Sequence, residues 1–350
     1  MGGDLIPLEH APLAPRCSLG VGGPARYLVE AHDEETVREA LAWAHARGQA
    51  LHVLGGGTNL VVADEGVDGL VLAVALRGVS VQTSGPDVEL TAGAGEPWDA
   101  LVQLAVERGW AGIECLSGIP GLVGATPIQN VGAYGQEVSE TVMSVRALDT
   151  RDGEVRTLLP AECRFAYRDS VFKSGEPGRW VILAVRYRFR PGGAPTIRYP
   201  EVEEHLVARG IAAATLADAR SSVLAIRRAK SMVLDPDDSN RRSCGSFFVN
   251  PVVSAEHADR LTALGLSPPM PRWPQSDDRV KLSAAWLIER AGFPRGYRKG
   301  STGLSTRHAL AIVAHDGARA REVLGFARRL QEAVRSRFGV ALVPEPVIWS

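Results

Sequence analysis

The first part of the chain carries a helix pattern followed by strand patterns. The polar stretch 34–48 is interrupted at helical spacing by Val37 and Leu41, and this predicts an amphipathic helix. The apolar run 51–54 predicts a short buried strand. Apolar runs broken by glycines over 60–74 predict further strands rather than a second helix.

The middle of the chain, roughly residues 78–190, alternates short apolar runs with glycine-rich loops. The runs 88–90 and 181–185 predict strands. Residues 98–108 predict a helix that ends at Gly109.

From about residue 216 the pattern becomes helical. Residues 283–291 and 317–338 predict two clear helices, and the proline-rich stretch 268–274 predicts a surface connection. Because helices and strands do not alternate strictly, we predict a mixed α+β fold rather than one doubly wound sheet. A chain of 350 residues exceeds what one core usually supports, which favours two or three domains.

Charge and composition narrow the class of partner. A formal net charge of -1 provides no electrostatic footprint for nucleic acid or an anionic membrane. The apolar runs are also far too short to cross a bilayer. We therefore expect a protein that binds a small molecule, with no nucleic-acid or membrane partner.

The N-terminus, the cysteines and the histidines indicate the compartment. Residues 1–15 include Asp4 and Glu9 and lack a basic segment followed by an apolar core, so we expect no secretory leader. The four cysteines form no CxxC pair, which predicts reduced thiols and a cytoplasmic location. None of the eight histidines has metal-binding spacing, so we expect no metal.

A first glycine loop covers residues 55–59. Consecutive glycines let the backbone approach a ligand and turn its N–H groups toward an anion, and Thr58 and Asn59 add side-chain donors. The loop has neither the Rossmann nor the P-loop signature. Taken alone, it fits a tight turn between two strands better than a ligand site.

A second glycine loop covers residues 117–135. It combines small residues and turn formers with a few apolar anchors, leaving little side-chain bulk to build a core. Such loops make sense against a large flat ligand that supplies the missing bulk. Two loops of this kind, separated by a β-rich segment, predict a bound dinucleotide.

Together the two loops resemble the FAD-binding half of the UDP-N-acetylenolpyruvoylglucosamine reductase family. The matching segments are 55–59, 119–121 and 127–135. The resemblance implies a vanillyl-alcohol-oxidase-like FAD-binding fold of two α+β subdomains, plus a C-terminal α+β substrate-binding domain. No histidine stands in the first loop, so the FAD is expected to be held non-covalently.

The resemblance also implies domain boundaries and a set of FAD contacts. Residues 1–78 and 79–215 form the two FAD-binding subdomains, residues 216–338 bind substrate, and segment 339–350 returns near the active site. The residues expected to bind FAD are Gly55, Gly56, Gly57, Thr58, Asn59, Ser117, Ile119, Pro120, Gly121, Gly124, Ala125, Gln129, Asn130, Gly132, Ala133 and Tyr134.

The implied reaction defines what a catalytic site must contain. Hydride addition to the terminal carbon of an enolpyruvyl ether leaves negative charge on the neighbouring carbon and its carboxylate. Such a site needs cationic or hydrogen-bonding groups to stabilise that charge, and a proton donor.

Three segments contain candidates for these tasks. Arg168 lies between aromatic residues in 165–173, and its planar fork suits a carboxylate, although a surface ion pair would also explain it. Ser246 precedes two phenylalanines; a plain turn is the alternative, and the Gly-x-Ser-x-Gly elbow of hydrolases is absent. Glu345 stands between two prolines, where an ordinary edge-strand glutamate is the alternative.

In their order and in the residues around them, these three segments resemble the catalytic motifs of the same family. The resemblance to the family extends from about residue 19 to residue 349. The resemblance implies that Arg168 and Glu345 stabilise the enol-like intermediate while Ser246 protonates it. It further implies that NADPH reduces the FAD and leaves before the enolpyruvyl sugar enters the same pocket.

Substrate contacts are also implied by the resemblance. Lys230 matches a phosphate-contacting lysine and Asn250 a nucleotide-binding position, while Tyr199 resembles the substrate-covering tyrosine of the longer, tyrosine-loop subtype. Two departures stand out: Pro200-Glu201 replaces the usual Gly-Asp, and Arg290 replaces a neutral amide. The expected substrate residues are Tyr199, Arg227, Lys230, Asn250 and Arg290.

We therefore expect an FAD-dependent, NADPH-driven enzyme that reduces UDP-N-acetylglucosamine enolpyruvate to UDP-N-acetylmuramate in peptidoglycan precursor synthesis, working as a cytoplasmic monomer. Two alternatives stay open. One is a flavin oxidoreductase of the same fold acting on another substrate, and the other is a non-catalytic flavin-binding protein.

Overall fold

The computed structural model describes residues 5–350 of the chain. Asp4, used above in the argument against a leader, lies outside these residues. The chain divides into two compact units. The first comprises the described residues up to 11 together with 25–57 and 68–234, and the second comprises 12–24, 58–67 and 235–350.

Eight α-helices are present in the described residues. They are α1 (Glu34–Ala46), α2 (Trp98–Glu107), α3 (Pro160–Cys163), α4 (Pro200–Ala208), α5 (Leu216–Ala229), α6 (Ala255–Thr262), α7 (Ala284–Arg290) and α8 (Ala320–Phe338).

The same residues contain twenty strands, many of them short. They are β1 (Leu8–Pro12), β2 (Pro24–Ala31), β3 (Leu51–Leu54), β4 (Leu60–Val62), β5 (Val67–Val74), β6 (Val79–Ser84), β7 (Asp87–Gly93), β8 (Trp110–Ala111), β9 (Gly132–Ala133), β10 (Gln136–Glu137), β11 (Val142–Asp149), β12 (Val155–Leu158), β13 (Trp180–Pro191), β14 (Val252–Ser254), β15 (Arg272–Pro274), β16 (Arg279–Leu282), β17 (Arg298–Lys299), β18 (Thr302–Leu304), β19 (Ile312–Ala314) and β20 (Val347–Trp349).

The helix predicted over 34–48 is confirmed as α1, and its ends have a local cause. The Asp33 carboxylate accepts a hydrogen bond from the Thr36 N–H at 2.7 Å, which satisfies an amide that the helix leaves unpaired. Gly48 follows the helix with φ at +60°, a left-handed conformation that glycine adopts without strain. The strands predicted at 51–54, 88–90 and 181–185 are likewise confirmed.

The first unit contains two sheets that share one hydrophobic core. One sheet runs in the order β1-β2-β5-β3, with β3 parallel to β5. The other runs β12-β11-β13-β7-β6, and its β11–β13, β13–β7 and β6–β7 pairs are antiparallel. Leu72, Leu90 and Val145 from these strands pack with Leu41 of α1 and Leu101 of α2 in a single cluster. This buried layer fixes the positions from which the glycine loops leave the strands.

Helix α5 belongs to the first unit, whereas the sequence pattern opened the third domain at residue 216. Its Val223 and Ile226 pack with Val202 and Leu206 of α4 and with Cys115. This side-chain packing moves the boundary of the compact unit from 216 to 235, and it could not be read from helical periodicity.

The second unit has a core of its own built around α7 and α8. Leu287 and Leu330 are fully buried there together with Phe247 and Ile312. Strand β20, at the C-terminus, pairs in parallel with β4, with Ile348 opposite Val61. The end of the chain thus lies beside the strand that follows the first glycine loop.

The prediction for 268–274 is partly wrong. Residues 272–274 form β15, which pairs with β16 in antiparallel register. Met270 is buried, and the Trp286 indole N–H donates to the Pro268 carbonyl at 2.8 Å. Prolines are tolerated here because β15 is an edge strand.

None of the described helices has the length and hydrophobicity that crossing a bilayer would require. All four cysteines are buried free thiols.

Candidate active site

The two glycine loops touch within the first unit. A Cβ built on Gly56 would lie 3.0 Å from the Gly121 Cα atom, which is closer than an ordinary contact. A Cβ on Gly124 would lie 2.6 Å from the Ala94 Cβ atom, so the second loop also packs tightly on the strand below it. Glycine is required at these positions because any side chain would force the backbones apart.

This arrangement tests whether the predicted residues could hold FAD. The loops form a cradle of backbone and small side chains, with Gly57 and Gly121 in left-handed conformations at φ +62° and +120°. Nests of this kind turn N–H groups toward anions, which suits the diphosphate of a dinucleotide. The residues present therefore fit FAD, and they offer no histidine in the first loop for a covalent link.

A partly buried ion pair that the sequence did not reveal supports the second loop. The Asp99 carboxylate accepts the Gly118 N–H at 2.6 Å and two bonds from the Arg220 guanidinium, at 2.7 and 2.9 Å. Burial raises the pKa of Asp99, but the bonds from Arg220 and Gly118 outweigh it, and the net pKa lies below 3.8. Residues 99 and 220 are far apart in sequence, and neither belongs to a motif that points to the other.

We expect Asp99→Asn to destabilise the apoprotein by about 2 kcal/mol, less than a fully buried pair because Asp99 keeps 38% of its side chain exposed. The FAD dissociation constant should rise with it, because the amide of Gly118 loses its charged partner. The pKa of Asp99 is lowered on folding, so its stabilisation is present above pH 3.8 and lost as the pH falls through the lower folded value. Calorimetry at pH 7 and below pH 3.8 measures both regimes.

The matched control for this variant is Glu107→Gln, at an exposed carboxylate on the same helix that only accepts from Gln103. It should change stability by no more than about 0.5 kcal/mol. Equal losses in both variants would show that Asp99 has no special role in holding the loop.

The Arg168 segment docks on the second glycine loop. The Ser170 hydroxyl donates to the Ile128 carbonyl at 2.6 Å. The Lys173 ammonium donates to the Arg168 carbonyl at 3.1 Å. Arg168 itself has φ at +55°, and its guanidinium carbon lies 5.9 Å from the centre of the Tyr167 ring. A non-glycine residue in this conformation is strained, and such strain is typical of functional sites.

Asn130, one of the predicted FAD residues, has a structural role in this loop. Its side-chain nitrogen donates to the Glu137 carboxylate at 2.7 Å and to the Ala166 carbonyl at 3.2 Å. Its side-chain oxygen accepts the Ser139 N–H at 3.1 Å. The buried amide therefore joins the loop to the segment that carries Arg168.

The predicted substrate residues of the first unit lie beside the same loop. The Tyr199 ring meets the Tyr134 ring edge-on, with centroids 5.5 Å apart. Burial lowers the pKa of Arg227; one of its terminal nitrogens donates to the Met232 carbonyl at 2.6 Å, and its Nε has no partner among the described residues. The Lys230 ammonium lies 2.5 Å from the Glu201 carboxylate.

The second unit pairs the segment that follows Ser246 with the segment that carries Glu345. The Glu345 N–H donates to the Phe247 carbonyl at 2.9 Å, and Phe248 forms a bridge with Pro344. On its other side Ser246 forms a bridge with Ala311. Two motifs about a hundred residues apart thus lie on adjacent extended segments. The segment that contains Ser246 lies between the segments of Ala311 and Pro344.

The end of the first glycine loop joins this pair. The Asn59 side-chain amide donates to the Glu345 carbonyl at 3.3 Å, and the Asn59 carbonyl accepts the Val347 N–H at 3.0 Å. Burial raises the pKa of the neighbouring Cys244 thiol to about 12, so that thiol stays protonated at neutral pH. This thiol is therefore a poor candidate for proton transfer.

The remaining predicted substrate residues also lie in the second unit. The Asn250 side-chain oxygen accepts the Ala284 N–H at 2.9 Å, at the start of α7. Arg290 ends that helix, and its buried Nε has no hydrogen-bond partner in the described part of the chain.

Two family models match this chain. Residues 25–159 match the model described as an FAD binding domain. Residues 235–349 match the model of the UDP-N-acetylenolpyruvoylglucosamine reductase C-terminal domain. The second match begins where the second unit resumes, at residue 235.

Relatives match almost the whole chain. UDP-N-acetylenolpyruvoylglucosamine reductase of Saccharopolyspora erythraea is 47% identical over 98% of this chain and 95% of its own length. That of Pseudomonas aeruginosa is 45% identical over 97% and 98%. The crystal structure of the Thermus caldophilus reductase is 26% identical and covers 99% of this chain and 100% of that one, with a TM-score of 0.66.

Proposed function

Because this chain belongs to the UDP-N-acetylenolpyruvoylglucosamine reductase family, we propose that Arg168, Ser246 and Glu345 carry out the reduction that names the family. The enzyme reduces UDP-N-acetylglucosamine enolpyruvate to UDP-N-acetylmuramate in peptidoglycan precursor synthesis. It has the FAD-binding fold of vanillyl-alcohol-oxidase type, followed by the family's C-terminal domain. The backbone pairing of Phe247 and Phe248, which follow Ser246, with Pro344 and Glu345 is the observation that supports this assignment.

Each residue has a role that its chemistry supports. Arg168 binds the substrate carboxylate through its planar fork and stabilises the charge that spreads into it. Glu345 would stabilise the same charge in its protonated form, in which the carboxyl donates a hydrogen bond. Ser246 gives its hydroxyl proton to the carbanion, which is basic enough to accept it. Ser246 is partly exposed on a backbone held from both sides, so its hydroxyl can be aimed without rearrangement of the chain.

We propose that the cradle described above would hold the FAD. The residues assigned to it are the sixteen named in the sequence analysis, and among them Asn130 and Ser117 make hydrogen bonds within the protein. Bound FAD, reduced by NADPH, supplies the hydride. Non-covalent binding follows from the absence of a histidine in the first loop.

The residues that we propose to bind the substrate are Tyr199, Arg227, Lys230, Asn250 and Arg290. Arginine and lysine side chains suit the diphosphate because their charged donors match its oxygens. We further propose that the enzyme is of the longer, tyrosine-loop subtype, with Tyr199 as its substrate-covering tyrosine. We further propose that the protein works in the cytoplasm as a monomer.

One experiment tests this function against its alternatives. The purified protein should be yellow, bleach with NADPH, and regain its colour anaerobically when UDP-N-acetylglucosamine enolpyruvate is added. A flavin oxidoreductase acting on another substrate would bleach but not recover with this sugar. A non-catalytic flavin-binding protein would not turn over with any donor and acceptor pair.

A further inference from the structure

A fully buried carboxylate lies next to the second glycine loop, and no cation accompanies it in the described structure. Glu114 has no exposed surface. One of its side-chain oxygens accepts the Thr196 N–H at 2.7 Å and the Gln136 side-chain amide at 3.0 Å. The other accepts the Gly112 N–H at 2.8 Å. A buried carboxylate satisfied by amides alone is costly to bury, so its position calls for an explanation.

The neighbouring residue, Cys115, completes the arrangement. Its N–H donates to the Gln136 side-chain oxygen at 2.8 Å, and its thiol donates to the Thr196 carbonyl at 3.1 Å. Burial, and then the charge of Glu114, raises the pKa of this thiol to about 12, which keeps the proton that the bond needs. Thr196 is therefore held through both its N–H and its carbonyl.

The segment that begins at Thr196 leads directly to the proposed substrate-covering tyrosine. Arg198 donates to the Gly135 carbonyl at 3.1 Å, and the Tyr199 ring packs on Tyr134 of the second glycine loop. Gln136, which Glu114 and Cys115 both hold, follows directly on that loop and begins β10. Glu114 is thus the buried group to which both the tyrosine segment and the glycine loop are attached.

We propose that Glu114 is a positioning residue that fixes the 196–199 segment against the second glycine loop and thereby sets the affinity of the enzyme for its UDP-sugar substrate. This inference rests on the proposed role of Tyr199. Glu114 acts through Thr196 and Gln136 and touches no reacting atom. Its hydrogen bonds with Thr196 and Gln136 join the 196–199 segment to the residue that follows the second glycine loop, and these two segments are distant in sequence.

The test is Glu114→Gln, which keeps the shape of the side chain but replaces one carboxylate oxygen with an NH₂ group. That group is a donor and would face one of the three N–H donors that Glu114 accepts from. One unsatisfied buried donor should raise the KM for UDP-N-acetylglucosamine enolpyruvate about tenfold, while reduction of the flavin by NADPH stays within about twofold of wild type. Without any substrate, the Thr196 amide should exchange its hydrogen at least about tenfold faster, as judged by mass spectrometry.

Two further variants keep the test decisive. Cys115→Ala releases only the Thr196 carbonyl and should raise the same KM about twofold to threefold, because a thiol is a weak donor. Val145 is a fully buried residue of β11 that makes no hydrogen bond to the 196–199 segment through its side chain. Val145→Ala should lower the free energy of unfolding by leaving a cavity, and should leave the KM unchanged.

The outcomes separate the two hypotheses. If the wild-type protein cannot pass electrons to the enolpyruvyl sugar, the proposed function fails. If the wild type turns over and Glu114→Gln changes neither the KM nor the exchange of Thr196, the positioning role is overturned. A similar loss in Glu114→Gln and Val145→Ala would show that Glu114 serves general stability only.

Discussion

Replacing Ser246 with alanine is expected to slow the reoxidation of reduced flavin by the enolpyruvyl sugar by roughly 10²–10⁴-fold, the contribution of a positioned proton donor. Reduction of the flavin by NADPH should proceed near the wild-type rate, since that step requires no proton on the substrate carbon. The fold should survive, because Ser246 contributes to the structure through a backbone bridge to Ala311 that alanine retains. Anaerobic stopped-flow spectroscopy at the flavin absorbance band measures the two half-reactions separately.

The control is Ser254→Ala. The Ser254 hydroxyl accepts the His257 N–H at the start of α6, so its loss removes a helix cap and costs about 1 kcal/mol of stability. Both half-reactions should remain at the wild-type rate in this variant. If Ser246→Ala slows both half-reactions equally, Ser246 binds ligands or supports the fold and is not the proton donor.

Replacing Glu345 with alanine is expected to lower the rate of flavin reoxidation by roughly 10²–10³-fold, the typical loss when one stabilising donor is removed from a site of developing charge. Glu345→Gln should retain part of this rate, because its amide can still donate a hydrogen bond. The backbone pairing with Phe247 and the Asn59 bond to the Glu345 carbonyl are main-chain contacts of residue 345 that both variants keep. The measurement is the single-turnover rate with saturating UDP-N-acetylglucosamine enolpyruvate.

The paired variants at 345 separate two roles. Loss of hydrogen bonding alone predicts the order wild type, glutamine, alanine. Equal rates in the glutamine and alanine variants would mean that the ionisable carboxyl itself is required. Wild-type rates in both would remove Glu345 from the catalytic set and return it to the ordinary edge position that the sequence also allowed.

Local physics explains which elements could be predicted. Helix α1 follows from its apolar spacing, the Asp33 cap and the glycine at 48, all of which act within a few residues. The extent of the 268–274 connection could not be predicted in the same way, because β15 exists only through its pairing with β16. The affiliation of α5 with the first unit likewise depends on contacts with α4.

The candidate site divides along the same line. The sequence showed four motifs: the glycine runs, an arginine between aromatic residues, a Gly-Ser before two phenylalanines, and a glutamate between prolines. The groups that hold those motifs in place were not. Asp99, Arg220 and Glu114 act through partners distant in sequence, and nothing in their own neighbourhoods distinguishes them from surface or helix residues.

The sequence by itself indicated the family, and it predicted the glycine loops as the cofactor site and Arg168, Ser246 and Glu345 as catalytic candidates, because each depends on residue type and short spacing. Tertiary structure alone decided that the segment following Ser246 pairs with that of Glu345, and that the buried Glu114 carboxylate bonds both to Thr196 and to Gln136, next to the second glycine loop. The physical reason is the distance along the chain over which each interaction acts. Backbone strain and capping act over a few residues and leave a trace in the pattern, whereas strand pairing and buried hydrogen bonds join positions whose separation along the chain carries no signal.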